Sequence, residues 1–287
     1  MSKCLNNLYS FFQEMVTYSH SRINTFFQCK YKYKLNYIDK IRTPFESIEA
    51  FMGSRVHEAL EVLYTAIQHG TTLTKENLLK AYLERWTKRW KPSITIAKEH
   101  MTPDDYKHHG LTTLMTYYDQ YVPFTKLITL GLETRDILPL ADGKSYHIRI
   151  DRLAKDTDNN YYVIDYKTSR LAKSQSDVDK DTQLAMYALW VKNNHPDAKT
   201  VTLLWRFLTP NTEVTSVRTD EQLHILKQTI ETNIDTIESC TDYPTTISKL
   251  CDYCEYKQQC PAWTNVPTTK PTKKISLGRQ QKLGDFF

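Results

Sequence analysis

The sequence lacks an apolar segment of membrane-spanning length, since no window approaches the ~18 consecutive apolar residues that a transmembrane helix needs. Residues Met1 to Asn7 also lack the apolar stretch of a signal peptide. Glycine is scarce, at 7 of 287 residues, which excludes a collagen-like chain, and no internal repeat is present. We therefore expect an intracellular globular protein with no membrane partner. It would be cytoplasmic in an archaeal-type cell or a virus of one, or nuclear in a eukaryotic cell.

Strong positive charge is also missing from most of the chain. The formal net charge is +5, but the segment from Asn265 onward carries five basic residues and one acidic residue, which accounts for +4 of it. An affinity for nucleic acid must therefore come from a local basic patch, because net charge alone does not predict one.

The composition that remains, 40% hydrophobic and 25% charged, is that of a globular protein of one large or two small domains. Apolar residues spaced three or four apart predict helices in the first half, with Ser21 near the first N-cap. Their approximate ranges are 21–38, 48–67, 78–90 and 111–121. From about residue 127, alternating apolar residues and two turns, at Asp142-Gly143 and 158–160, predict antiparallel strands. A helix at 181–193, a strand at 201–207 and a helix from Asp220 follow, so the predicted class is α/β with a helical N-terminal portion.

Two carboxylates and a lysine are predicted to converge on this sheet. In the strand 161–167, Val163, Asp165 and Lys167 share one face because side chains alternate. Asp151 lies on the preceding strand, and the turn at 158–160 would place it beside Asp165. Carboxylate oxygens suit Mg²⁺ or Mn²⁺, and a nearby ammonium can orient a metal-bound water. Such a group is suited to phosphodiester hydrolysis.

These residues occur in an order that resembles the PD-(D/E)xK nuclease superfamily, in particular the RecB-like exonucleases. The matching stretches are Gly53-Ser54-Arg55-Val56-His57-Glu58, Ile150-Asp151-Arg152-Leu153, Asp165-Tyr166-Lys167-Thr168-Ser169 and Gln183-Leu184-Ala185-Met186-Tyr187. The resemblance implies a restriction-endonuclease-like core, a mixed sheet flanked by helices. It implies a nuclease domain at 1–264, with a helical part at about 19–125, a core at about 126–240 and a cysteine loop at 251–261.

The same resemblance assigns roles to individual residues. His57, Asp151 and Asp165, with the Tyr166 carbonyl, would bind catalytic Mg²⁺ or Mn²⁺, and Lys167 would position the attacking water. Gln183 and Tyr187 lie four residues apart on one helical face and match a QxxxY element that supports the active site and touches the substrate strand.

The cysteines form a separate motif. Cys251, Cys254 and Cys260 supply three soft ligands in one short segment, too few for a closed four-ligand site. The sequence is similar to iron–sulfur RecB-like exonucleases, including the CRISPR-associated ones, which take a fourth cysteine from far upstream. This similarity implies a [4Fe–4S] cluster on Cys29, Cys251, Cys254 and Cys260 that staples the N-terminal helix to the C-terminal loop. Four thiolates also suit zinc, so ligand type alone leaves that alternative open.

Lysines and tyrosines interleave between residues 30 and 42. They comprise Lys30, Lys32, Lys34, Lys40 and Arg42 with Tyr31, Tyr33 and Tyr37. The segment could be a DNA-binding groove, with cations on phosphates and aromatic faces on bases, or a solvated helix face beside core aromatics.

The last residues differ in composition from the rest. A Thr-, Pro- and Lys-rich segment, 265–279, is predicted to be a flexible basic linker. Residues 280–287 match Q-x-x-L-x-x-F-F and resemble the box by which archaeal and eukaryotic replication proteins bind a sliding clamp of the PCNA type. Gln280, Leu283, Phe286 and Phe287 would be its anchors, filling an apolar clamp pocket.

Together these features predict a metal-dependent DNA exonuclease or end-processing nuclease. It would act on single-stranded DNA or DNA ends in replication or repair, recruited by a sliding clamp. A CRISPR-adaptation nuclease with the same core is the second hypothesis, and a non-catalytic DNA-end binding protein is the third.

Overall fold

The computed structural model describes residues 16–43 and 46–264. The predicted linker, 265–279, lies outside the described residues, as do Gln280, Leu283, Phe286 and Phe287 of the predicted clamp box. The chain divides into two compact units, Met1–Thr246 and Ile247–Phe287. The first contains the sheet and the candidate site.

The helices are α1 (His20–Gln28), α2 (Lys30–Tyr33), α3 (Ile48–Gln68), α4 (Lys75–Arg89), α5 (Pro103–Tyr121), α6 (Gln175–Asp179), α7 (Thr182–Asn194), α8 (Asp220–Glu238) and α9 (Pro261–Thr264). The strands are β1 (Thr17–Tyr18), β2 (Glu46–Ser47), β3 (Ile94–Thr95), β4 (Ile128–Pro139), β5 (Ser145–Lys155), β6 (Asn160–Lys167), β7 (Thr200–Phe207) and β8 (Thr212–Val217). Among the described residues, no helix has the length and apolar content needed to cross a membrane.

Strands β1 and β4 to β8 form one mixed sheet. β5 pairs antiparallel with β4 along one edge, and its other edge pairs first with β1 and then with β6. β6 and β7 are parallel, and β8 closes the sheet antiparallel to β7. The predicted α/β class, with a mixed sheet and a helical N-terminal portion, is confirmed, whereas β1, β8 and α6 were not predicted.

Each face of the sheet is covered by helices. One core packs α1, α7 and α8 against residues such as Val163 and Trp205, and the other packs α3, α4 and α5 against Ile164 and Leu204. Neighbouring residues of β6 and β7 thus enter opposite cores, as the alternation of a strand requires. The predicted division of β6 into two faces is confirmed, because Tyr166 joins Ile164 in the second core.

The first helix begins at His20, one residue before the predicted range of 21–38. Its N-cap is Ser19, whose hydroxyl accepts the Arg22 N–H at 3.2 Å, so Ser21 lies near the N-cap, as predicted, but does not cap the helix. The spacing of apolar residues locates only the first apolar turn of the helix. The N-cap is the residue whose hydroxyl reaches a backbone N–H that has no partner within the helix. The helix is interrupted at Cys29, whose backbone is extended, and resumes as α2, which is followed by a short π-helix at Lys34–Ile38.

The basic and aromatic segment that contains α2 is partly core. Tyr33 is buried, its ring packs edge-on against Phe26, and its hydroxyl accepts a hydrogen bond from Arg22. The Lys34 ammonium pairs with Asp39 at 2.6 Å. Tyr33 therefore stabilises the fold and is not a surface on which a base could stack.

Candidate active site

The alternation of side chains between the two faces of strand β5 is interrupted at Asp151. Before this residue, Ile148 and Ile150 enter the first core, but Arg152, which strict alternation would place beside them, lies over the ring of Tyr64 in the second core. β5 also exchanges β1 for β6 as its partner in this region. The Asp151 carboxylate accepts the N–H of Tyr166 at 2.9 Å, a hydrogen bond that continues the β5–β6 contact beyond the last backbone pair.

Asp165 and Lys167 occupy the end of β6 on one face. The Lys167 ammonium donates to Oδ1 of Asp165 at 3.0 Å and lies 2.7 Å from Oδ2. Oδ2 is buried and ion-paired with this ammonium, but it accepts no hydrogen bond. A buried carboxylate oxygen without a hydrogen-bond donor is costly, and it is suited to a cation.

Helix α3 brings His57 to the same point. Ser47 caps this helix, and Gly53, one turn before His57, lies so close to β6 that a Cβ atom there would be 3.1 Å from Thr168 Oγ1. The His57 Nε2–H donates to the Tyr166 carbonyl at 2.9 Å. Its Nδ1 therefore faces the carboxylates, 3.5 Å from Asp151 and 3.9 Å from Glu133.

Glu133 is a member of the site that the sequence did not reveal. It lies on β4 opposite Asp151, between the pairs Leu132–Arg152 and Thr134–Ile150, with φ at 43°. A non-glycine residue in this region costs of order 1–3 kcal/mol, and such strain is concentrated at functional sites. The strained backbone directs Glu133 to His57, while Arg149 holds its Oε2 at 3.0 Å. No sequence motif marks Glu133, because its place in the site depends on a local backbone conformation that residue spacing does not reveal.

Among the described residues, His57, Glu133 and Asp151 form a group that could hold a metal ion, since one ligand atom from each lies within 4.8 Å of the others. Two carboxylates and an imidazole suit Mn²⁺ or Mg²⁺. With the buried oxygen of Asp165 facing the same cavity, the donor set fits a divalent cation. The structure thus brings together the predicted His57, Asp151 and Asp165, adds Glu133, and shows the predicted Tyr166 carbonyl accepting from His57.

The charges in the site shift one another's protonation. Burial raises the pKa of Asp151 to about 6, an effect that His57 opposes and Asp165 reinforces. Burial alone would lower the pKa of His57, but Glu133, Asp151 and Asp165 outweigh it and raise that pKa. Burial would likewise lower the pKa of Lys167, but Asp165 raises it. Lys167 is therefore an ammonium, able to hold a water or a phosphate oxygen but not to remove a proton.

The surrounding cavity has a volume of about 600 Å³ and a mainly polar lining. Helix α7 contributes Gln183 and Tyr187, and the Gln183 amide donates to the Tyr187 hydroxyl at 3.2 Å. Asp181 fixes the start of this helix by accepting the N–H groups of Gln183 and Leu184. The predicted pair thus faces the carboxylates from the opposite side to α3.

A buried polar network lies behind Tyr166. The hydroxyls of Tyr64, Tyr117 and Tyr166 are hydrogen-bonded in series, and Arg206 donates to Tyr117 at 3.2 Å. The guanidinium of Arg206 also pairs with Glu213. Since Tyr166 supplies the carbonyl that holds His57, this network fixes one wall of the site.

Comparison with known families agrees with this geometry. The PD-(D/E)XK nuclease superfamily matches residues 17–261, most of the chain. The chain belongs to this superfamily. A comparison with curated proteins found no match.

Of two solved structures compared with this PD-(D/E)XK chain, one is similar to it at the level of the fold. A candidate exonuclease from Eubacterium rectale is similar with a TM-score of 0.52 at 13% identity, over 95% of this chain and 97% of that one. The protein SSO0001 is similar at 17% identity over 81% of this chain and 94% of that one, with a TM-score of 0.35, too low to establish a common fold.

The predicted cluster cysteines of this PD-(D/E)XK chain are half-buried. Cys29 interrupts the first helix, and its sulfur accepts the Lys32 N–H at 3.5 Å. In the second unit, the sulfur of Cys251 accepts the Ser248 N–H at 3.4 Å. Both hydrogen bonds are local, and they place backbone donors on two of the four sulfurs.

Proposed function

We propose that this chain is a metal-dependent DNA exonuclease or end-processing nuclease. The observation that carries the proposal is the convergence of His57, Glu133, Asp151 and Asp165 with Lys167 in one polar cavity. Buried like charges repel one another, so three carboxylates gathered at one point favour a bound cation there in addition to Lys167 and Arg149.

His57, Glu133, Asp151 and Asp165 would hold Mg²⁺ or Mn²⁺. When bound, this ion supplies a nucleophile by lowering the pKa of water and neutralises charge on the phosphate. Lys167 remains an ammonium, so its role is to orient the water or a phosphate oxygen. His57 keeps its Nδ1 toward the carboxylates because its Nε2 proton is held by the Tyr166 carbonyl.

Cations that could bind the DNA backbone line the same cavity. Arg55, Arg135 and Arg149 are among its lining residues, and Arg149 is also hydrogen-bonded to Glu133. Guanidinium groups bind phosphate oxygens through paired N–H donors. A DNA strand can therefore be held by these arginines while its scissile phosphate faces the carboxylates.

The test is digestion of end-labelled single-stranded, duplex and flap DNA in Mg²⁺ or Mn²⁺. Asp165→Asn should lower cleavage by more than about a hundredfold, because losing even an indirect partner of a metal ligand costs about 10–100-fold. The matched control is Asp104→Asn, which removes an exposed carboxylate of α5 outside the cavity and should leave cleavage unchanged.

Two results would contradict the proposal. Undiminished cleavage by purified, folded Asp165→Asn protein would exclude the assigned site. Tight binding of DNA ends without cleavage in either metal would indicate a non-catalytic end-binding protein.

We further propose a [4Fe–4S] cluster on Cys29, Cys251, Cys254 and Cys260. Four thiolates fit such a cluster, and the N–H donors to Cys29 and Cys251 are of the kind that tune cluster sulfurs. Anaerobically purified protein should absorb broadly near ~400 nm and contain iron, and Cys254→Ser should lose both. Stoichiometric zinc without iron would contradict the cluster and leave the nuclease proposal intact.

Recruitment by a sliding clamp completes the proposal, supported by the sequence match at Gln280, Leu283, Phe286 and Phe287. The full-length chain should bind a PCNA-type clamp, and Phe286→Ala/Phe287→Ala should lose that binding. Cleavage of short free oligonucleotides should not change, because tethering raises only the local concentration on clamp-loaded DNA. Equal clamp binding by the parent and the double variant would contradict this role.

A further inference from the structure

A second cavity, of about 560 Å³, adjoins the candidate active site. The two share part of their lining, including His57 and Lys167. Their chemistry differs, because the catalytic cavity is lined mainly by polar surface and the second mainly by apolar surface. A nucleotide also combines two chemistries, a charged phosphate and a flat base with apolar faces.

Met52, Met101 and Tyr106 are among the apolar lining residues of the second cavity, and Met52 and Tyr106 belong to the core beneath it, each only 4% exposed. Tyr106 is held by its hydroxyl, which donates to Glu49 at 2.6 Å. Methionine side chains adapt to the shape of a bound group, and aromatic and apolar side chains are what enzymes place around a base taken out of its stack. A volume near 560 Å³ is within the range of small-molecule sites, about 300–1,000 Å³.

Two cations, Lys98 and Arg170, complete the lining of this cavity. Both are exposed, and neither forms an ion pair with any residue in 16–43 or 46–264. The carboxylate of Glu49 accepts a hydrogen bond from Tyr106 and keeps its single negative charge, which offsets only one of the two positive charges. The cavity therefore combines an apolar wall with positive charge that is available to a phosphate.

We propose that this second cavity binds the terminal nucleoside of the strand being cleaved, while the adjoining phosphodiester occupies the catalytic cavity. Met52, Met101 and Tyr106 contact the base, and Lys98 and Arg170 contact a phosphate of the terminal nucleotide. The proposal rests on the nuclease function above and deepens it, because it makes the enzyme an exonuclease that recognises an end through its last base.

The first test compares two oligonucleotides, one with an abasic site at the terminal nucleotide and one with it five nucleotides inward. The terminal lesion should lower kcat/KM about tenfold or more, the effect of about 1.4 kcal/mol of lost contact. The inner lesion should have little effect. Equal rates for normal and terminal-abasic ends, or efficient cleavage of circular single-stranded DNA, would overturn the nucleoside pocket while leaving the nuclease intact.

Variants connect the effect to the cavity. Met101→Trp should fill the second cavity and slow the cleavage of normal ends to the rate of terminal-abasic ends. Arg170→Ala should raise KM for normal ends about tenfold. Lys126→Ala, an exposed cation outside both cavities, is the control and should behave as the parent. Thermal unfolding of each variant checks its fold. An undiminished preference for a terminal base in folded Met101→Trp protein would overturn the proposal.

A binding measurement separates this proposal from the catalytic one. Asp165→Asn protein in Mg²⁺ should change the fluorescence of 2-aminopurine placed at the terminal nucleotide more than at the fifth, and Met101→Trp should abolish the difference. This readout needs no hydrolysis, so it supports the pocket even if cleavage is absent. Equal changes at both positions would overturn it even if cleavage is robust.

Discussion

The two faces of the end of β6 make opposite use of buried polar groups. On one face, Asp165 and Lys167 meet the carboxylates of Glu133 and Asp151, and Oδ2 of Asp165 accepts no hydrogen bond. On the other, the Tyr166 hydroxyl joins a network in which three hydroxyls and both terminal nitrogens of Arg206 have partners, and only Nε of that arginine has none. Both faces are built from one stretch of strand, so burial alone does not decide whether a polar group stabilises the fold.

The network on the far face behaves as a structural unit. Arg206 donates to Tyr117, pairs with Glu213 and lies over the ring of Tyr121 at 3.9 Å. Burial raises the pKa of Tyr117, which keeps its hydroxyl neutral. The active-site face has a different balance, because Glu133 pairs with Arg149 and Asp165 with Lys167, whereas burial outweighs the effect of His57 on Asp151 and raises its pKa to about 6. Its polar groups are arranged for a ligand and are expected to cost stability in its absence.

The largest effect should follow from breaking the network. Arg206→Leu should lower the free energy of unfolding by about 3 kcal/mol, because removing one member of a buried charged pair leaves its partners unsatisfied. Urea unfolding measures this loss. Arg89→Leu, at an exposed arginine, should change it by less than about 0.5 kcal/mol. A loss below about 1 kcal/mol for Arg206→Leu would mean that the network does not stabilise the fold.

The active-site face should respond in the opposite direction. Asp151→Asn should raise the free energy of unfolding by about 1–3 kcal/mol at pH 8 without metal, while removing cleavage. Asp151 is an acid whose folded pKa, about 6, exceeds its unfolded value, so its charge destabilises the folded state above that pH.

The pH dependence separates this explanation from a packing effect. The gain should shrink as pH falls from about 6 toward 4, because Asp151 in the parent then becomes protonated and neutral. Urea unfolding of both proteins at pH 8 and at pH 4.5 makes the comparison. An equal gain at both values would exclude the charge as its cause.

The affinity for metal should depend on the protonation of Asp151. Below about pH 6 the affinity for Mn²⁺ should fall by about tenfold for each pH unit, because a proton must leave Asp151 before the metal binds. The raised pKa of His57 adds to this competition. Calorimetric titration between pH 5 and 8 should show the fall at the acid end. Equal affinity at pH 5 and pH 7.5 would exclude Asp151 as a ligand.

The smallest effect should come from removing one hydroxyl of the network. Tyr117→Phe should cost about 1–2 kcal/mol with the ring left in place, because its hydroxyl is bonded to Tyr64, Tyr166 and Arg206 and its loss leaves buried partners unsatisfied. Tyr118→Phe, whose half-buried hydroxyl donates to the Leu73 carbonyl, is the matched comparison on the same helix and should cost less. The order of these two losses, measured by urea unfolding, tests the assignment, and a larger loss for Tyr118→Phe would contradict it.

The sequence by itself predicted α3, the β5–β6 hairpin and the side chains that these elements carry. The helical spacing around His57 and the alternation around Asp165 and Lys167 depend on residues close together in the chain, and local geometry fixes which side chains share a face. The order of these motifs was also sufficient to suggest the superfamily that matches residues 17–261.

Only the tertiary structure revealed Glu133, the Tyr–Arg network and the second cavity. Glu133 enters the site because its backbone adopts a positive φ opposite the point where β5 changes partner, a constraint imposed by strand pairing. Arg206 and Tyr117 are 89 residues apart, and the cavity joins α3, the segment before α5 and the end of β6. Contacts of this kind arise from the packing of distant segments, which leaves no periodic pattern in the residues of any one of them.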